Sequence, residues 1–177
     1  MIMKIRRLIG QWFHKEEGAT AIEFSLLLWP YLLISLGTIE ISLMMASASL
    51  LESATDRASR MVKTGQLQQS GGDPEELFRQ ELCQYAVVLI DCDAMVLEST
   101  PMDSYNDFSG PTLDGDGNLV SGGFDIGGSN TRVMIRVAYR YSMVTPIVGT
   151  LINGADGGTQ FISTIVLQSE PYEFQGS

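Results

Sequence analysis

The chain has 177 residues, 45% of them hydrophobic, and a formal net charge of −10, enough for one compact domain beside a distinct N-terminal segment. The first eighteen residues carry +2 and the remainder −12, which excludes the basic footprint of a nucleic-acid binder and attraction of the main body to an anionic membrane surface. His14 is the sole histidine, Lys63 the sole lysine after Gly18, and no phosphate-binding glycine loop is present. Histidine-based triads and metal sites therefore lack their residues once the leader is set aside. Paired carboxylates are the one catalytic arrangement that counting leaves open, and no residues are placed for it. The expectation is a non-enzyme without a cofactor or resident metal.

The N-terminal stretch is basic, with Lys4, Arg6, Arg7 and Lys15, and ends at Gly18. An apolar run follows, interrupted by Glu23 and Glu40. The segment between the two glutamates spans about 24 Å as helix, and its small or apolar flanks extend it to the ~20 residues needed to cross a bilayer. Basic residues before the run and none close after it place the N-terminus in the cytoplasm and export the rest. Three readings of this segment compete. A secretory signal cut after Ala46-Ser47-Ala48 has the right cleavage residues but too long an apolar region. A plain signal anchor explains the hydrophobicity and gives Glu23 no purpose. A leader cut after Gly18 makes Ala19 the new N-terminus and Glu23 the fifth residue. The freed α-amino group is largely cationic at neutral pH, and in a stack of subunits it can neutralise a neighbour's Glu23. A carboxylate that costs about 2.5–3.5 kcal/mol in lipid then favours one register of assembly.

Glu40 lies roughly 100° around the helix from Glu23, so the two do not form one site. It reads either as a boundary residue reaching headgroups or water, or as a contact with a partner subunit. Pro30 is tolerated in such a helix and is given no role beyond shape.

The apolar run passes without Gly or Pro into a polar half, where Leu50, Leu51, Ala54, Ala58, Met61 and Val62 keep helical spacing. The pattern predicts one helix of ~70 Å from about Glu17 to Thr64, stopped by Gly65. Asp73-Pro74 starts a short helix to about Ala86. Cys83 and Cys92 are read as a disulfide in an exported domain, with two buried thiols as the rival. Met95–Thr100 reads as a strand and Asp103–Asn130 as a long surface excursion rich in Gly, Asp, Asn and Ser. Thr131–Val144 is the clearest strand. Val133, Ile135, Val137, Tyr139, Tyr141 and Met143 occupy one face, and Arg132, Arg136 and Arg140 the other. The arginine row is either a solvated face or a docking row for an acidic neighbour. Pro146 closes that strand, and Thr159–Gln168 forms the last one. Asp114, Asp116, Asn118 and Asp125 fall near the positions of a calcium loop, but Leu119 replaces the glycine such a loop needs, so a solvated turn is expected.

GATAIEFSLLLWPYLLISLGTIE resembles the N-terminus of TadE/TadF-like minor pseudopilins of the tight-adherence (Tad, Flp-type) pilus: a glycine, a glutamate five residues on, an aromatic (Phe24), then an apolar stretch with a proline and a second glutamate. ESATDRASRMVKTGQ, the Cys83–Cys92 loop, VRVAYRYSMVTPIVG and SEPYEF are similar to later landmarks of that family. The resemblance implies cleavage between Gly18 and Ala19 by a prepilin peptidase, with Glu23 and Phe24 acting in assembly. It also implies a minor component in pilus assembly, surface adhesion or biofilm formation. The implied partners are other minor pilins, a Flp-type major pilin, an inner-membrane assembly platform and membrane lipid. The expected architecture is α+β and type IV pilin-like. A leader occupies 1–18, a transmembrane and extended helix 19–66, and a periplasmic domain 67–177 with a short helix and about three antiparallel strands. A membrane-anchored adhesion module that never enters a filament is the alternative.

Overall fold

The structure, a computed structural model, describes residues 16–86, 89–153 and 158–171. Its dominant element is helix α1, Glu16–Lys63, 48 residues long. The expected single helix is therefore present, and its length is ~72 Å at 1.5 Å per residue. Its two halves meet different surroundings. From Thr20 to Ile39 nearly every residue is exposed, including Ile22, Leu26, Leu27, Trp29, Tyr31 and Ile34. From Glu40 onward one stripe is buried: Ser47, Leu51, Ala54, Ala58 and Val62, a spacing of threes and fours that keeps one face toward a core. Hydroxyls along α1 bond to the carbonyl four residues back, as in Ser25 to Ala21 and Thr38 to Ile34. That local bond satisfies polar side chains where no water is needed.

Beyond α1 come α2 (Gln66–Gln69), α3 (Pro74–Ala86), β1 (Met95–Met102), β2 (Arg132–Ser142), α4 (Pro146–Asn153) and β3 (Gly158–Gln168). Gly65, at φ 73°, makes the left-handed step that separates α1 from α2, a conformation glycine adopts without strain. The Asp73 carboxylate accepts from Glu75 N at 3.1 Å, and Pro74 opens α3 where a missing N–H does no harm. Phe78, Leu82 and Ala86 of α3 are buried against α1. Cys83 and Cys92 are joined by a disulfide, fastening α3 to the approach of β1.

The three strands form one antiparallel sheet in the order β1-β2-β3. Val133, Ile135, Val137, Tyr139 and Tyr141 point into the core with Leu51, Ala54, Ala58 and Val62, as their alternation predicts. α1 and β3 run side by side, and Glu170 N closes the end of α1 by donating to the Lys63 carbonyl at 2.7 Å. The fold is α+β, with a long apolar N-terminal helix leaning on a small sheet.

Two elements depart from the sequence reading. Pro146 does end the strand region, but it also begins helix α4. The segment from Asp103 to Asn130 is not a free excursion. It crosses the arginine face of the sheet and wraps the outer edge of β1, burying Leu119 and Ile126. Ser99 N donates to Gly123 O at 3.0 Å, Asp125 N to Ser99 O at 2.9 Å, and Ser121 Oγ to Leu97 O at 2.6 Å. Phe124 packs on Phe78 with ring centroids 5.2 Å apart.

Candidate functional site

The exposed apolar half of α1 carries the first group of predicted residues. Gly18 and Ala19 lie in the first turn of α1, and residues 1–15 of the basic leader lie outside the described residues. Glu23 and Phe24 are exposed on the helix surface, Phe24 at 62%. Among the described residues, no side chain or backbone group bonds to the Glu23 carboxylate. Twenty residues from Thr20 to Ile39 give about 30 Å of helix, the thickness of a bilayer's hydrocarbon. The helix is compatible with a single-pass membrane anchor.

Glu40 closes that stretch, and its surroundings correct both readings offered for it. It is 2% exposed, so it neither reaches headgroups or water nor faces a partner subunit. Oε1 accepts from Val144 N at 2.8 Å and from the Tyr141 hydroxyl at 3.1 Å, and Oε2 accepts from Thr145 N at 2.9 Å. Thr145 immediately precedes α4, and Gly149 N bonds back to its carbonyl. The carboxylate therefore sits at the N-terminus of α4, where unpaired N–H groups and the helix dipole favour a negative charge. One side chain of α1 thus ties together the end of β2, the turn after it and the start of α4. Burial, and then the Glu40 carboxylate that accepts its hydroxyl hydrogen, push the Tyr141 pKa up to about 12. The latch lies where the exposed half of α1 meets the folded body, so it fixes the body's orientation to that half of the helix.

In the arginine row, burial corrects the reading at Arg136, while Arg132 and Arg140 are half-buried. Arg136 is 2% exposed and pairs with Glu98 at 3.0 Å. It donates further to the Ser109 carbonyl and lies 5.9 Å from the Phe108 ring. Arg132 donates to Asp103 O at 2.8 Å and stacks over Tyr105. Arg140 donates to Asn118 Oδ1. The three guanidiniums hold down the 103–130 segment, and Arg136, buried beneath it, is neither solvated nor available for docking.

The same contacts define the acidic turn. Asp114 Oδ1 accepts from the backbone N–H groups of Asp116 and Asn118 at 2.9 and 2.7 Å. These bonds, the Asn118 backbone first, hold its carboxyl below the ordinary value of 3.8. A guanidinium already occupies the Asn118 carbonyl that a calcium ion would need. The turn is a self-satisfied loop clamped by Arg140.

Against this geometry, the family model described as TadE-like protein matches residues 18–60. The match begins at the expected cleavage glycine and covers both glutamates, the exposed apolar half of α1 and most of its buried stripe. It is consistent with a TadE-like Tad pilus protein. Comparison with curated proteins and with solved structures returned no match.

Proposed function

We propose that this chain is a minor pseudopilin of a Tad/Flp-type pilus, non-catalytic, acting in pilus assembly and through it in surface adhesion or biofilm formation. The observation that carries the reading is the TadE-like match over residues 18–60, falling on a helix whose first half is apolar and exposed and whose second half is buried. Such a helix suits a subunit stored in the inner membrane and later stacked on other helices. The N-terminus is cytoplasmic and the folded body periplasmic until assembly. A prepilin peptidase cuts between Gly18 and Ala19, and an inner-membrane platform passes the subunit to other minor pilins and a Flp-type major pilin. Glu23, exposed in a hydrophobic environment and unpaired among the described residues, is drawn to the cationic N-terminus of a neighbouring subunit.

The test is Glu23→Ala in a strain that makes the pilus. The variant inserts and is trimmed normally, but pilus yield falls by at least tenfold. Normal piliation by a trimmed Glu23→Ala chain would overturn the role given to this residue. A cell-surface adhesion phenotype without any effect on filaments would favour the membrane-anchored module.

A further inference from the structure

The two edges of the sheet are treated differently. The outer edge of β1 is bonded to the 121–125 segment. Among the described residues, β3 pairs only with β2. Ser169 N donates to Thr131 O, which fixes the register of bonded pairs. Phe161, Ser163, Ile165 and Leu167 turn their backbone groups toward β2, and Gln160, Ile162, Thr164 and Val166 turn theirs outward. No backbone bond closes that outer row among the described residues. β3 has 11 residues, GTQFISTIVLQ, without a charge or a proline. Edges that must stay free are usually shielded by lysine, proline, bulges or shortness, and this one has none of them.

Beside the open edge, α1 and β3 border a groove of about 750 Å³. Met45, Glu52 and Asp56 line its helix wall. These two acids are exposed and one turn apart, a like-charge spacing that weakens a helix. Neither carboxylate makes a bond or ion pair among the described residues, and Arg60, one turn past Asp56, does not bridge to it.

We infer that the β3 edge is a strand-addition site for an extended segment of a different protein, apolar at alternate positions and carrying lysine or arginine against Glu52 and Asp56. Main-chain bonds to the outward row supply affinity, and the acidic wall selects a basic strand. A second copy of this chain is the wrong occupant. Edge-to-edge pairing would bring two uncharged β3 strands together and set two acidic helix walls over one groove.

The test uses the full chain in detergent micelles and a short synthetic peptide of alternating threonine and valine with lysine at both ends. Hydrogen exchange at the amides of Ile162, Thr164 and Val166 slows on adding the peptide. Thr164→Pro, which removes an outward N–H at an exposed edge position, lowers affinity at least tenfold. Glu52→Gln with Asp56→Gln, on exposed helix positions that do not threaten folding, lowers it about fivefold or more. No protection at millimolar peptide would overturn the inference. So would equal binding of the same peptide ended by glutamates, or amide protection that rises with protein concentration alone, the mark of self-pairing.

Discussion

Glu40→Ala probes the junction between anchor and body. The substitution leaves the Tyr141 hydroxyl and the N–H groups of Val144 and Thr145 without their acceptor. Hydrogen bonds to a charged group contribute about 1.5–3 kcal/mol each. Three of them exceed the penalty for burying the carboxylate, which is several kcal/mol. Two N–H groups and one hydroxyl are left unpaired at about 1–3 kcal/mol each, and losing the buried charge recovers part of that, so the expected net loss is about 3–5 kcal/mol. Glu40→Gln keeps one oxygen for Val144 and Tyr141 but turns an N–H₂ toward Thr145 N, so about 1–3 kcal/mol is lost. Thermal unfolding of the chain in micelles, followed by near-ultraviolet circular dichroism, reads the difference. Glu40→Ala lowers Tm by roughly 10–15 °C, and the amides of Val144 and Thr145 lose protection first. Unchanged melting with those amides still protected would refute the latch.

Three further outcomes follow from the same contacts. Tyr141 ionises near 12 rather than 10.0. A folded-state pKa above the unfolded one gives stability that is complete below pH 10 and lost as pH rises through about 12. Tyr141→Phe flattens that alkaline slope in a pH series of melting curves. Arg136→Met leaves Glu98 charged beneath the 103–130 segment and destabilises the chain by about 3–5 kcal/mol, whereas Arg136→Met with Glu98→Met recovers most of that loss; denaturant midpoints separate the two. Calcium titration leaves Tm unchanged, because the Asp114 turn is already filled by its own amides and Arg140, and a rise in Tm with calcium would contradict this.

Elements governed by local pattern were legible in the sequence. The 3.6-residue stripe from Leu50 to Val62, the alternation of Val133 to Tyr141 and the Asp73-Pro74 start each report their own environment. Contacts made at a distance were not. Glu40 looks like a boundary acid because its partners lie 101 to 105 positions away, and nothing beside it announces them. Pro146 reads as a strand stop, and its second use as the first residue of a helix depends on that remote cap. Arg136 looks solvated because its cover is a segment rich in Gly, Ser and Asp. Leu119, Phe124 and Ile126, apolar residues within it, were the available sign that the segment folds back onto the sheet.

The measurement that bears most directly on the central claim is the intact mass and N-terminal sequence of the chain extracted from membranes of cells with and without the prepilin peptidase. The account predicts an N-terminus at Ala19 that reverts to the leader-bearing form when the peptidase is absent. A chain that begins at Met1 or Ser49 in both strains would contradict it.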